Sequence, residues 1–223
     1  MTNQEIVKKF LNGFNNPTQI KESCAKVRVL TNLLIEKNYL YFMDIFSNER
    51  KSFTEMGKIY FWTATIHKWI HLLETKSKKD ILINSLSHFS SKDIVDVFGF
   101  VIMPNHVHII WRMNKMNGKE KPFGSFLKYT AHEFKKTISS KELSEFSVQR
   151  SNKNFEFWQR DSLSIELYSS EVAYQKLDYI HLNPMSKKWS LVTDPSDYAF
   201  SSAGFYDTGS SRFSFLKHIG EEF

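Results

Sequence analysis

Two histidines spaced for one face of a β-strand are the residues of this sequence best suited to chemistry. His106 and His108 lie in the apolar run PNHVHIIW. Because successive side chains of a strand alternate between its faces, both imidazoles project from one face and Val107 from the other. Neutral imidazole binds several divalent metals, but two histidines alone leave a site that needs an oxygen donor and open positions for a substrate.

A helix farther along the chain carries groups that could complete such a site. The pattern over residues 123–138 predicts an amphipathic helix that buries Phe126 and Phe134. Tyr129 and Glu133 are one helical turn apart, so they lie together at the edge of the apolar stripe. We predict that Glu133 completes the metal site and that Tyr129, once its proton is withdrawn, attacks a phosphodiester held there.

Each of these signals also has an ordinary structural explanation. A His-x-His pair occurs in many unrelated proteins, and a tyrosine on an amphipathic helix commonly packs at the border of a core. A glutamate four residues after it is a common arrangement on an exposed helix face. The residues taken singly leave both interpretations open.

The elements around these residues follow from hydrophobic periodicity and from turn signals. Their order predicts an α+β domain of ferredoxin-like type, with an antiparallel sheet and helices packed on one or both of its faces. The predicted elements are a strand in 59–73, a helix over 79–89, strands over 96–103 and 107–112 joined tightly at Pro104-Asn105, the helix 123–138, an extended segment over 155–167 and a helix over 171–181 stopped by Asn183-Pro184.

The character of the sequence changes near residue 57. Upstream, Asn16-Pro17 is typical of a helix start, and apolar residues then recur at helical spacing to about residue 37. We therefore predict an N-terminal helical extension over 1–56, a catalytic domain over 57–206 and a C-terminal tail over 207–223.

Composition excludes several classes of protein. Of the 223 residues, 41% are hydrophobic and only 8 are Gly and 5 Pro, which excludes disordered and collagen-like chains. Cys24 is the single cysteine, so neither an intrachain disulfide nor a multi-cysteine zinc site can form. No apolar run is long enough to span a bilayer. We expect a cytoplasmic protein that does not enter the membrane.

The net charge of +6 favours an anionic partner. Lysines are concentrated between residues 115 and 136, and we predict that Lys115, Lys119, Lys121 and Lys128 neutralise phosphates beside the proposed site. A solvated helix face is the alternative explanation for the same lysines.

Several longer segments that contain or flank these residues resemble those of a known protein family. The segment FGFVIMPNHVHIIW resembles the signature of the single-tyrosine HUH transposases. In the same order along the chain, FLKYTAHEFKK, FEFWQRDS, YIHLNP and DPSDYAFSSAGFY resemble the REP-associated tyrosine transposases, a branch of that family. The resemblance spans about residues 58–206.

The resemblance implies a chemistry and a set of roles. Family members bind Mg²⁺ or Mn²⁺ with the histidine pair, and a helical tyrosine attacks single-stranded DNA beside a hairpin, leaving a 5′-phosphotyrosine and a free 3′-OH. Transferred to this sequence, His106 and His108 are metal ligands and Tyr129 is the nucleophile. Glu133 takes the place of the family's third ligand, usually Gln or Asn, and this departure adds a negative charge. The family includes both monomers and homodimers.

The YIHLNP segment carries one further candidate. Its match to the family implies that His181 contacts DNA, whereas a histidine at this place could equally cap the C-terminal end of its helix.

Two functions remain open at this point. The first is a metal-dependent endonuclease and strand transferase acting on single-stranded DNA with hairpin structure. The second is a catalytically inactive module that binds single-stranded DNA or RNA on the same scaffold, since ferredoxin-like sheets also serve as platforms for RNA.

Overall fold

The computed structural model describes residues 54–150, 153–160 and 162–223. The predicted helix near the N-terminus, and all of the predicted extension before residue 54, lie outside the described residues. None of the helices described is long and apolar enough to cross a membrane.

Strands and helices follow one another in the predicted order. The strands are β1 (Ile59–Thr65), β2 (Val95–Ile102), β3 (His106–Met113), β4 (Ser147–Arg150), β5 (Lys153–Phe155) and β6 (Leu163–Glu166). The α-helices are α1 (Lys76–Ser91), α2 (Pro122–Thr137), α3 (Ser140–Glu145), α4 (Ser170–Leu182) and α5 (Ala203–Thr208). Short 3₁₀ turns at His67–Trp69, Asn183–Met185, Pro195–Asp197 and Ile219–Glu221 complete the described structure.

The main sheet has the order β2-β3-β1-β6, and every neighbouring pair in it is antiparallel. Strands β2 and β3 form the predicted hairpin, and β1 lies between β3 and β6. Helix α1 connects β1 to β2, and α2 lies in the longer connection from β3 to β6. The ferredoxin-like α+β prediction is confirmed. Strands β4 and β5 form a separate two-stranded sheet.

One face of the sheet is covered by α1 and α2. The indole of Trp62 lies 5.0 Å from that of Trp111 and 5.8 Å from the ring of Phe126, measured between ring centroids. Helix α1 contributes Leu82 and Leu86 to the same apolar core. Aromatic edge-to-face contacts of this kind hold α2 firmly on this face.

The other face of the sheet is covered by α4. Its buried residues Leu177 and Ile180 pack in a second apolar cluster with Phe61 and Ile110. Ser169 caps the start of α4 by accepting a hydrogen bond from the backbone N–H of Val172. The sheet therefore separates two helical layers, with α1 and α2 on one side and α4 on the other.

The C-terminal segment over 207–223, which we predicted as a tail, packs against both cores. Phe215 lies in the first core and Ile219 in the second. Lys217 contacts the buried carboxylate of Asp96 at 2.5 Å. Burial tends to raise the pKa of Asp96, but hydrogen bonds from Lys217, Arg112 and Asn114 together lower it below its usual value.

Two predicted elements differ from the structure. The predicted strand in 59–73 ends at Thr65, and a 3₁₀ turn with left-handed backbone angles at Lys68 and Trp69 follows it. The segment predicted as extended over 155–167 contains only the end of β5 and the short strand β6. Periodicity identified both strands but could not locate the turns that end them.

A β-bulge in β2 brings α4 close to the sheet. The register with β3 shifts between Val97 and Gly99. A Cβ atom at Gly99 would lie 2.7 Å from Leu177 Cδ1 and 3.2 Å from Ile180 Cδ1. Both Phe98 and Gly99 therefore face α4, and the missing side chain of Gly99 lets the helix approach.

We expect Gly99→Val to displace α4 and to lower the free energy of unfolding by about 1–3 kcal/mol, as overpacking does in other cores. Urea denaturation of the full chain measures the change. Gly99→Ala is the matched control and should cost less, because its one added carbon meets the end of a flexible leucine side chain. Equal stability of Gly99→Val and the parent would contradict this account of α4 packing.

Candidate metal and nucleophile site

The structure confirms that His106 and His108 share one face of β3. Their ring centroids are 4.8 Å apart, and only 8% and 3% of the two residues are exposed. Val107 and Ile109 point to the opposite face, into the core under α1 and α2. The imidazoles therefore lie on the α4 side of the sheet.

Hydrogen bonds hold both rings by their Nδ1 atoms. Nδ1 of His106 lies 2.7 Å from Asn105 Oδ1, and because an amide oxygen can only accept, this Nδ1 carries the proton. Nδ1 of His108 lies 2.7 Å from Oγ1 of Thr63, its direct neighbour across the β1–β3 pair. The Thr63 hydroxyl can accept a proton from this Nδ1, and with that tautomer Nε2 of His108, like Nε2 of His106, keeps its lone pair.

Burial keeps both imidazoles neutral. It lowers the pKa of His106 to about 3, with a further contribution from the positive charge of Lys188. Burial also holds the pKa of His108 well below its usual value, helped by His106 and by Lys176. Nε2 of His108 is buried and has no hydrogen-bond partner among the described residues. A buried lone pair without a partner fits a metal ligand.

Helix α4 places a phenol beside this pair. The ring of Tyr179 lies 5.4 Å from that of His108 and 6.0 Å from that of Phe61, between centroids. Nζ of Lys176, one turn earlier on α4, lies 5.4 Å from the centroid of the same Phe61 ring. A tyrosine and a lysine of α4 therefore both lie on the histidine side of the sheet.

Asn183 is one helical turn after Tyr179 and could supply the oxygen donor that the histidines lack. It ends α4 with helical backbone angles, so its side chain shares a helix face with Tyr179. In the described part of the chain, no group of three or more His, Cys, Asp or Glu residues is arranged to hold a metal. An amide oxygen is a ligand that Mg²⁺ and Mn²⁺ accept.

The structure does not bring Tyr129 and Glu133 to the histidines as we predicted. Helix α2 packs through Phe126 on the sheet face opposite to the imidazoles. Tyr129 is 48% exposed and lines a small cavity with residues of α1, including His88. Glu133 instead forms an ion pair with Lys136 at 2.7 Å. The sheet lies between these side chains and the candidate metal site.

The four lysines predicted to flank the site do not lie beside it. They follow the far end of β3, and Met113 is roughly 20 Å from His106 along the strand. Lys115 and Lys128 are engaged in ion pairs with Asp93 and Glu120, and Lys121 donates to the Thr54 carbonyl, while Lys119 is exposed.

His181 forms a buried hydrogen bond on α4, and its predicted contact with DNA stays a prediction. The residue is buried, and its Nε2 lies 2.8 Å from Oγ of Ser202. Burial lowers the pKa of His181 to about 4. This side chain joins α4 to the segment before α5.

Sequence reasoning missed Asn105, Tyr179 and Asn183, although signals for all three were present. Tyr179 and Asn183 stand in the YIHLNP segment, one helical turn apart, and an amide follows the tyrosine there. Asn105 stands directly before the histidine pair. Besides holding His106, its Nδ2 donates to the backbone carbonyl of Trp69 at 3.2 Å.

We expect His106→Ala and His108→Ala each to weaken Mn²⁺ binding at least tenfold, because each removes a ligand. Asn105→Ala should weaken it by about 10- to 100-fold, as loss of a ligand-orienting hydrogen bond does elsewhere. Titration followed by electron paramagnetic resonance measures the free Mn²⁺. Glu133→Gln is the matched control and should bind as the parent does; weaker binding by this variant would contradict the site.

Comparison with known proteins agrees with this fold. No protein-family profile matches the sequence, and no curated protein matches it. Among solved structures, the REP-associated tyrosine transposase bound to a REP hairpin is similar with a TM-score of 0.51 and 18% identity, over 77% of this chain and 93% of that one. A structure described as a transposase of Deinococcus radiodurans overlaps with a TM-score of 0.35 and 14% identity, over 60% of this chain and 95% of that one. The chain thus has the fold of the REP-associated tyrosine transposase.

Proposed function

We propose that this protein is a metal-dependent nuclease and strand transferase for single-stranded DNA, with Tyr179 as its nucleophile. The observation that carries the proposal is the contact of the Tyr179 ring with His108, on the face where both imidazoles are held through their Nδ1 atoms. The fold shared with a hairpin-bound transposase supports the same class of substrate.

The proposed reaction is a displacement at phosphorus. The phenol oxygen of Tyr179 forms a bond to the phosphorus while the bond from phosphorus to the 3′-oxygen breaks. The phenol gives up its proton to solvent water as it attacks, and the electron pair of the broken bond stays on the 3′-oxygen, which takes up a proton from water. The products are a 5′-phosphotyrosine and a free 3′-OH. Reversal of the step by another 3′-OH joins strands.

His106 and His108 would hold a divalent cation through Nε2, and the amide oxygen of Asn183 would be the third donor. Such an ion supplies electrostatic stabilisation of the negative charge that develops on the phosphate. The chain itself holds the imidazoles neutral and oriented and buries them away from competing water. The helix α4 fixes the approach of the phenol.

We propose that Lys176 supplies a positive charge beside the phosphate and the nucleophile. Its Nζ lies 5.4 Å from the centroid of the Phe61 ring that Tyr179 also contacts. Burial lowers the pKa of Lys176, and a bound phosphate would favour its protonated form. Lys176 also stands close enough to His108 to lower the pKa of that imidazole. Its charge can therefore act on both the nucleophile and the phosphate.

We expect Tyr179→Phe to abolish covalent attachment to DNA, because it removes the attacking oxygen and little else. The measurement is a denaturing gel of labelled single-stranded hairpin DNA incubated with the protein and Mn²⁺. Tyr129→Phe is the matched control, since that tyrosine lies on the opposite side of the sheet, and it should form the adduct at the parent's rate.

The same gel separates the proposed enzyme from an inactive binding module. A module would retain the DNA in a native gel but give no adduct with the parent protein. An adduct that persists in Tyr179→Phe and disappears in Tyr129→Phe would assign the reaction to the other helix and overturn this proposal.

We expect Lys176→Met to slow adduct formation by about 10²-fold, the usual scale for loss of a group that stabilises transition-state charge. Single-turnover rates at saturating Mn²⁺ measure the effect. Lys176→Arg keeps the charge and should recover much of the rate. Equal rates for Lys176→Met and the parent would show that this charge has no part in the reaction.

A further inference from the structure

An aromatic and cationic cluster lies beside the candidate site and has no role in the reaction proposed above. Trp69 is 54% exposed, although a large apolar ring is ordinarily covered. Nζ of Lys188 lies 5.4 Å from the centroid of the Trp69 ring and 5.1 Å from that of Trp189. The lysine therefore stands between two indoles, and we call these three residues the Trp-Lys-Trp cluster.

The cluster continues directly from the metal-binding face. The Trp189 ring lies 5.8 Å from that of His106, and the histidine pair in turn reaches Tyr179. The row of rings across this face is thus continuous and runs from Tyr179 through His108 and His106 to Trp189. A strand with its phosphate between the phenol and the imidazoles would meet the cluster at an adjoining nucleotide.

The residues of the cluster come from segments that adjoin the candidate site. Trp69 follows β1, the neighbour of the histidine strand, and Lys188 and Trp189 follow the end of α4. Asn105 ties the two together, because it holds the ring of His106 and also donates to the Trp69 carbonyl. The position of the exposed indole is therefore coupled to the metal ligand.

The backbone conformation at Trp69 is higher in energy than the usual conformations of a residue with a side chain. Lys68 and Trp69 have φ angles of 53° and 59°, a left-handed region that residues with a side chain rarely adopt. The turn keeps the indole at the surface even though burial would remove more apolar area from water. Such a cost is typical of residues held in place for a ligand.

We propose that the Trp-Lys-Trp cluster is a subsite that stacks one unpaired nucleobase on Trp69 and binds its phosphate through Lys188. This inference rests on the proposed function for the identity of the strand. Stacking on an indole suits every base, since each has a π-face, and a lysine adds the attraction for phosphate. The subsite would hold the nucleotide beside the broken bond in a fixed position.

The test uses the Tyr179→Phe protein, which binds without turnover, and a single-stranded hairpin oligonucleotide carrying 2-aminopurine at one position at a time. At one position the probe should be quenched on binding, and Trp69→Ala should remove the quenching. Replacing that nucleotide by an abasic site should weaken binding about 5- to 150-fold with Trp69 present, and far less with Trp69→Ala.

Two further variants sharpen the result. Trp69→Phe keeps a stacking ring and should retain most of the quenching. Tyr168→Ala is the matched control, since Tyr168 is 77% exposed but follows β6 at the far end of β1 from Thr65, and it should behave as the parent does. Both variants should unfold at the parent's temperature.

Quenching unchanged by Trp69→Ala at every position, or an abasic penalty equal with and without Trp69, would overturn the subsite. If the parent protein forms the adduct in that case, the proposed function stands and only the subsite fails. If the parent forms no adduct but Trp69-dependent quenching is found, the subsite stands as part of a binding surface. Absence of binding to the oligonucleotide would overturn both.

Discussion

The alternation of side chains along β3 is the constraint on which the rest of the site depends. Because successive side chains alternate between the faces of the strand, His106 and His108 share one face, and Val107 and Ile109 lie on the other. Once the apolar face is covered by α1 and α2, the imidazoles must meet whatever covers the opposite side. That element is α4, and it brings Tyr179 to the histidines.

The chemistry of the site follows from burial in the same layer. Two imidazoles taken out of water lose their protons more readily, and their Nδ1 atoms find partners in Asn105 and Thr63. The remaining lone pairs are then directed by the protein before any ligand arrives. Burial of neutral, partnered rings costs far less than burial of charged ones.

Much of this structure could be predicted from the sequence, because it depends on local periodicity. The hairpin of β2 and β3, the common face of the two histidines and the extent of α1, α2 and α4 all follow from spacing. The choice between Tyr129 and Tyr179 does not, since each stands on a helix with a polar residue one turn later. That choice depends on which sheet face each helix covers.

The size of the side chains on α2 is a sequence signal that bears on that choice. The helix α2 carries large aromatic residues such as Phe126, which pack best against the apolar face of β3 formed by Val107, Ile109 and Trp111. That face is opposite to the histidines, so this pattern places α2 and Tyr129 away from them. The turn that exposes Trp69 is different, because its left-handed backbone is stabilised by tertiary contacts that no local pattern reveals.

The most direct test of the central claim is to locate the DNA attachment by mass spectrometry. The protein is allowed to react with hairpin DNA and Mn²⁺, the adduct is digested with nuclease and protease, and the modified peptide is sequenced. The account predicts a nucleotide on the phenol oxygen of Tyr179. A nucleotide on Tyr129, or on any other residue, would contradict it.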